Sequence, residues 1–233
     1  GVIWMLSVVD TVILDWDKLH RLIPSQFPPI GLFEEVVDPD DLDMAYAIES
    51  LTNDRIRQEV GDLNLVPLEQ RISGVGSTPV MAAFTHIGIP SRFTDGTNYG
   101  VYYGAKYLNT AIKETVFHRE NFLRRTNEPD TEITMRCYVN RVVSPLHDIR
   151  GIAFNELHDE EDYAIPQSFA KRMRDNGTDG LVYNSVRHVG GECVAVFNPK
   201  ALSLPVQTEH FKYQWRKKEN KIVNVLSVSK VCL

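Results

Sequence analysis

Alternation of apolar and polar positions predicts strands in the middle and at the end of the chain. In ITMRCYV, residues 133 to 139, every second residue is apolar, which is typical of a strand with one buried face. GLVYNSVRHVGGECVAVF, residues 180 to 197, has two apolar runs around a polar bend and predicts a strand pair. Residues 210 to 228 carry two further runs around WRKKENK and predict a final hairpin with a charged turn.

Two helices are indicated between these strands. Apolar residues recur on one face of a helix that is predicted to run from an N-cap at Asn109 to Arg124. A second helix is predicted over residues 166 to 175, because Pro166 suits a first helical turn and Gly177 suits the end of a helix.

The first part of the chain is less regular. Residues 20 to 33 begin as a strand and break into a proline-rich loop. A helix is predicted over residues 40 to 51, and another one ends at Gly61, followed by a loop over residues 62 to 79. Residues 80 to 107 are apolar at both ends with TDGTN between, which predicts a hairpin.

These elements define an α+β fold with a mixed or antiparallel β core flanked by helices. The length of 233 residues suits a single domain over residues 1 to 233, in which residues 35 to 79 are a mainly helical insertion. The formal net charge is −6, so the chain lacks the basic footprint of a nucleic-acid-binding protein. We therefore expect no direct nucleic-acid partner.

The three cysteines, Cys137, Cys193 and Cys232, are widely spaced and form no Cys-x-x-Cys pair. This spacing predicts neither a disulfide framework nor a metal site, and it favours a reducing compartment. The apolar start of the chain has no basic leader and contains Asp10 and Asp15, so we expect neither a signal peptide nor a membrane span. The expected localisation is cytoplasmic.

A polar group interrupts the predicted strand pair. Asn184, Ser185, Arg187 and His188 lie at the bend, just before two consecutive glycines. A hairpin turn needs only about two to five residues of turn chemistry. Four hydrogen-bonding side chains at this bend suggest that a ligand is held there.

Three further polar residues are evenly spaced upstream. Tyr103 follows Arg92 by eleven positions, and Glu114 follows Tyr103 by eleven positions. Singly, they read as a surface arginine, a core tyrosine and a solvated helix face. Together they lie in a predicted loop, strand and early helix, which can meet in one cleft.

With these residues the chain resembles the RES domain family, named for an arginine, a glutamate and a serine. The matching motifs are SRF (91 to 93), YYGA (102 to 105), AIKE (111 to 114) and YNSVRHVGG (183 to 191), in that order. The resemblance spans about residues 19 to 205, since HRLIPSQFPP resembles the opening strand of longer members. It identifies Arg92, Glu114 and Ser185 as the three naming residues and Tyr103 as a fourth pocket residue.

The resemblance implies a fold similar to diphtheria-toxin-like ADP-ribosyltransferases and the role of toxin in a bacterial toxin-antitoxin pair. The implied reaction is cleavage of the nicotinamide-ribose bond of NAD by water or inorganic phosphate, without a metal. The implied catalytic residues are Arg92, Tyr103, Glu114 and Ser185, and the implied NAD-binding residues are Arg21, Arg92, Tyr103, Ser185 and His188. A cognate Xre-like antitoxin is the implied partner, and a homodimer is compatible with the resemblance.

The residue types suit this chemistry. Loss of nicotinamide leaves positive charge on the ribose, which a carboxylate such as Glu114 stabilises. Arg92 offers a planar fork for pyrophosphate or ribose oxygens, Tyr103 would cover the nicotinamide ring, and the glycine pair would let the backbone approach the ligand closely. Two alternatives stay open: an ADP-ribosyltransferase that modifies a protein, and a noncatalytic binding module.

Overall fold

A computed structural model of the protein describes residues 9–25 and 61–229. The strands are β1 (Thr11–Val12), β2 (Leu19–Pro24), β3 (Tyr102–Ala105), β4 (Thr131–Asn140), β5 (Leu146–Asp148), β6 (Gly180–Asn184), β7 (Glu192–Val196), β8 (Val206–Arg216) and β9 (Lys221–Val228). The α-helices are α1 (Ser77–Thr85), α2 (Leu108–Thr126) and α3 (Ala164–Asp175). Short 3₁₀ segments are Leu63–Leu65, Leu68–Gln70, Ile152–His158 and Pro199–Ala201.

The strands form one sheet in the order β1-β5-β6-β7-β3-β2-β4-β8-β9. All neighbours are antiparallel except β5 and β6, which are parallel. β7 lies between β6 and β3, so Tyr183 pairs with Cys193 on one side and Tyr103 pairs with Ala195 on the other. The mixed sheet with helices confirms the predicted α+β class.

The sheet carries helices on both faces. Side chains of α2, α3 and Ile152–His158 pack with Tyr183 on one face, which we call the α2 face. Side chains of α1 pack with Leu19 and Tyr102 on the opposite face, which we call the α1 face. Successive residues of a strand point to opposite faces, so Tyr103 belongs to the α2 face.

Most strand and helix predictions that fall on described residues are confirmed. The alternating segment 133 to 139 lies in β4, the strand pair over 180 to 197 is β6 and β7, and the final hairpin is β8 and β9. The two predicted helices correspond to α2 and α3. α2 begins earlier than predicted, with Tyr107 rather than Asn109 at the N-cap.

The hairpin prediction for residues 80 to 107 is wrong. Its first apolar run belongs to α1, and a loop leads from there to β3. Val80 and Met81 are fully buried, and a short run that is almost wholly apolar has no period that separates a helix from a strand. α1 begins at Ser77, so it also takes the end of the loop predicted over residues 62 to 79.

The helix predicted over residues 40 to 51 lies outside the described residues, as does the body of the helix predicted to end at Gly61. The single domain and the insertion over residues 35 to 79 therefore remain predictions. Within the described ranges, no helix combines the length and the apolar character that crossing a bilayer requires.

Candidate functional site

The bend between β6 and β7 is organised around the hydroxyl of Ser185. The Ser185 Oγ accepts hydrogen bonds from the backbone N–H of Arg187 at 3.2 Å and of His188 at 3.0 Å. The Ser185 N–H donates to the carbonyl of Gly191 at 2.9 Å, and Gly190 has a φ of +75°. Glycine adopts this left-handed conformation without strain, so the bend closes tightly and fixes the serine.

The same bend is attached to the first turn of α2. A Cβ on Gly191 would lie 2.7 Å from Cγ2 of Thr110, which is closer than packed atoms allow. The hydroxyl of Thr110 lies 2.8 Å from Nδ1 of His188 and hydrogen-bonds to it. The contact that requires Gly191 is therefore one with α2, whereas the sequence suggested close approach of a ligand.

This attachment brings Ser185 to Glu114. The Ser185 Oγ donates to Oε1 of Glu114 at 2.5 Å, although the two residues are 71 positions apart. Glu114 is half-buried, and its burial raises the pKa of the carboxyl group, opposed by the Ser185 hydroxyl and then by the charge of Arg92. Glu114 and Ser185 form the centre of the candidate site.

Arg92 is buried beside this centre, with 7% of its surface exposed. Its Nη1 donates to the carbonyls of Leu157 at 3.1 Å and of Asp159 at 2.6 Å. Its guanidinium carbon lies 4.9 Å from the centre of the Tyr163 ring. The positive charge of Arg92 opposes the rise in the pKa of Glu114, so a cation and a carboxylate share this part of the α2 face.

Tyr103 holds the turn that carries Arg92. Its hydroxyl accepts from the Phe93 N–H at 3.1 Å and hydrogen-bonds to Oγ of Ser91 at 2.7 Å. Its ring stacks against Phe93 with centroids 6.5 Å apart. Burial raises the pKa of Tyr103 to about 12, so its phenol is neutral at physiological pH. The described contacts of Tyr103 position Arg92.

Arg21 lies apart from these residues. Its guanidinium carbon lies 4.5 Å above the ring of Tyr102, which belongs to the α1 face, and its Nη1 donates to the backbone carbonyl of Tyr103 at 2.9 Å. Strand alternation in β2 places Arg21 on the same face as Leu19. The structure brings Arg92, Tyr103, Glu114, Ser185 and His188 together on the α2 face, and it leaves Arg21 on the other side of the sheet.

Two residues near the site, His158 and Arg187, have no predicted catalytic or NAD-binding role, although Arg187 lies in the polar bend that the sequence singled out. Nε2 of His158 accepts from the Asn184 N–H at 3.2 Å, and Nδ1 of His158 lies 3.0 Å from the Phe154 carbonyl. These partners define a neutral ring with the proton on Nδ1, and burial lowers the pKa of His158 accordingly. Nothing in the local sequence distinguishes this histidine, since its partners come from other elements.

Arg187 is the second unassigned residue. Its guanidinium carbon lies 3.5 Å from the centre of the Phe117 ring, and its Nη1 donates to Oε2 of Glu160 at 3.0 Å. Its Nη2 donates to the backbone carbonyl of Glu160. A cavity of about 390 Å³ lies beside these groups and is lined by Lys113, Val116, Phe117, Glu120, Glu160, Val186 and Arg187.

The fold and this centre define a class of protein: an α+β domain with a glutamate-serine pair and a buried arginine on one face of a mixed sheet. The chain belongs to the RES domain family, whose model matches residues 69–216. It is 30% identical over 200 residues to the uncharacterized protein y4oC of Sinorhizobium fredii (strain NBRC 101917 / NGR234), covering 85% of this chain and 83% of that protein.

Comparison with solved structures finds the M. tuberculosis MbcT-MbcA toxin-antitoxin complex. The similarity covers 56% of this chain and 74% of that chain, with a TM-score of 0.38 and 8% sequence identity.

Proposed function

We propose that the protein is the toxin of a toxin-antitoxin pair and that it cleaves the nicotinamide-ribose bond of NAD. Its membership of the RES family supports this assignment, because the motifs of that family carry Arg92, Tyr103, Glu114 and Ser185. The proposed partner is an Xre-like antitoxin, and the proposed attacking group is water or inorganic phosphate.

One observation carries the proposal: the carboxylate of Glu114 is half-buried and held by the Ser185 hydroxyl at 2.5 Å. Departure of nicotinamide makes the ribose resemble an oxocarbenium ion. A carboxylate with a fixed position and little surrounding water stabilises such a cation, since no solvent has to reorganise during the reaction. Glu114 supplies this charge, and Ser185 orients it.

Arg92 would bind oxygen atoms of the same ligand. The hydrogen bonds that the described residues give Arg92 use Nη1 alone, which leaves Nη2 and Nε for ribose or phosphate oxygens. A guanidinium keeps its charge at any physiological pH and matches paired oxygens. Tyr103 contributes by keeping the arginine-bearing turn in place, and His188 by holding the β6–β7 bend against α2.

The test is NMR spectroscopy of NAD incubated with the purified protein, with and without inorganic phosphate. We expect release of nicotinamide together with ADP-ribose, or with its 1″-phosphate when phosphate is the attacking group. Radiolabelled ADP-ribose retained on a protein would instead identify a transferase. Intact NAD, with Glu114→Ala leaving the thermal stability unchanged, would support a noncatalytic binding module.

A growth assay tests the toxin role. Expression of the wild-type protein in bacteria is expected to stop growth unless the cognate antitoxin is co-expressed, because NAD cleavage depletes a cofactor that the cell requires. Glu114→Ala at matched soluble protein serves as the control. Equal growth of the two strains would count against the proposal.

A further inference from the structure

A second arginine leaves the same bend and reaches past the glutamate. The backbone of Arg187 donates to Ser185 Oγ, and its side chain extends along α2 onto the ring of Phe117. Phe117 follows Glu114 by three residues, so the two side chains are neighbours on one face of α2. Arg187 is therefore a cation placed one helical turn away from the proposed reacting centre.

The partner of Arg187 is an exposed carboxylate. Only 10% of the Arg187 side chain is exposed, against 68% of the Glu160 side chain. The Glu160 carboxylate keeps most of its hydration, so little desolvation opposes its exchange for another anion, whereas the nearly buried Arg187 requires an anion at this position. A guanidinium accepts carboxylate and phosphate oxygens with the same planar geometry. Glu160 therefore occupies the hydrogen-bonding position that a phosphate oxygen would take.

Space for a ligand group lies beside this ion pair. The cavity of about 390 Å³ that contains Arg187, Glu160 and Phe117 also contains the exposed side chain of Lys113, a second cation. The space is an open surface depression, so a charged group can enter it from solvent. In a dinucleotide, the diphosphate is attached to the ribose whose glycosidic bond breaks, so its site has to lie next to Glu114.

We propose that this cavity binds the diphosphate of the ligand, with Arg187 donating to phosphate oxygens and with Glu160 as the group that they displace. The identity of the ligand as a dinucleotide rests on the function proposed above. The shared chemistry is that of a phosphate group, which either a dinucleotide or free inorganic phosphate can supply.

Calorimetry on the purified protein separates these sources. The titrants are inorganic pyrophosphate, inorganic phosphate and nicotinamide riboside, which has no phosphate. Glu160→Gln removes the competing charge and is expected to tighten pyrophosphate binding by up to about fivefold. Arg187→Gln removes charge-assisted hydrogen bonds and is expected to weaken it by about ten- to a hundredfold. Binding of nicotinamide riboside is expected to stay unchanged in both variants.

Charge-matched controls are Glu161→Gln, at the exposed acid next to Glu160, and Arg125→Gln, at an exposed arginine in the last turn of α2. Both are expected to bind pyrophosphate like the wild type. Tighter binding of inorganic phosphate than of pyrophosphate, with the same dependence on Arg187, would assign the cavity to the free phosphate instead of the diphosphate of a dinucleotide.

Two results would overturn the inference: no detectable pyrophosphate binding to the wild type and to Glu160→Gln, or unaltered binding to a folded Arg187→Gln protein. If Arg187→Gln does not fold, the Glu160→Gln variant decides alone. A pyrophosphate affinity of Glu160→Gln equal to that of Glu161→Gln would show that pyrophosphate does not displace Glu160. These titrations involve no turnover of NAD. Pyrophosphate binding that depends on Arg187, in a protein that leaves NAD intact, would refute the proposed function and keep the anion site.

Discussion

Replacement of Glu114 by glutamine separates the charge of this residue from its shape. The variant keeps an Oε1 atom that can accept the Ser185 hydroxyl, which lies 2.5 Å from Oε1 in the wild type. It loses the negative charge that we assign to stabilising the ribosyl cation. Substrate binding should therefore survive while turnover falls, since stabilisation that is specific to the transition state appears in kcat rather than in affinity.

The size of the loss follows from the charge-to-charge distance expected for a carboxylate in contact with the ribosyl cation. At a separation of about 4 Å and an effective dielectric constant near 20, two unit charges interact by about 4 kcal/mol. Each ~1.36 kcal/mol corresponds to a tenfold change in rate. We therefore expect nicotinamide release to slow by about a thousandfold in Glu114→Gln.

Unlike turnover, the stability of Glu114→Gln relative to the wild type should increase at neutral pH. Burial raises the pKa of Glu114, so the folded protein binds a proton at pH values where the unfolded chain has released it. Wild-type stability then falls as the pH rises through the interval between the ordinary and the raised pKa. Glu114→Gln lacks this dependence, and its melting temperature relative to the wild type should increase from acidic to neutral pH.

The assay combines single-turnover nicotinamide release, NAD binding by calorimetry and thermal unfolding across this pH range. Near-normal nicotinamide release from a folded Glu114→Gln protein would refute the reasoning about charge. A loss of activity together with a lower melting temperature at neutral pH would give Glu114 a structural role.

Three further substitutions test the surroundings of this centre. Ser185→Ala leaves two backbone N–H groups without their acceptor, so we expect a loss of about 1–3 kcal/mol in the free energy of unfolding, measured in urea, as well as reduced turnover. Tyr103→Phe removes the bonds to Ser91 and Phe93. It should reduce turnover while the far-UV circular dichroism spectrum stays close to that of the wild type, and unchanged turnover would show that Tyr103 does not position Arg92. Gly191→Ala places a Cβ against Thr110 and should lower the melting temperature, whereas an unchanged value would show that α2 yields at this contact.

The elements with a clear period were predictable from the sequence. Residues 133 to 139 of β4 alternate between apolar and polar types in the sequence, and the apolar stripe of α2 placed Glu114 near the start of a helix. Motif resemblance then named Arg92 and Ser185, and both lie beside Glu114 in the structure. The strand and the helix were predictable because periodicity is carried by consecutive residues, whereas the roles of Arg92, Glu114 and Ser185 remain predictions.

Contacts between distant segments could not be predicted in this way. Arg21 lies on the α1 face because it follows Leu19 by two residues in β2. A shift of the strand register by one residue would have placed it on the other face. The pairing of Arg187 with Glu160 joins a strand bend to a loop 27 residues earlier. α1 is helical although its apolar run carries no helical period.

The position of β7 between β6 and β3 determines when the candidate site can assemble during translation. Glu114 is synthesised 71 residues before Ser185, and at about 5–20 residues per second this interval lasts roughly 4 to 14 s. The bend that carries Ser185 is anchored only when the chain has reached Val196 and β7 has inserted between its two neighbours. A nascent chain therefore carries its glutamate for at least 71 residues of synthesis, and its arginine for longer, without an assembled centre.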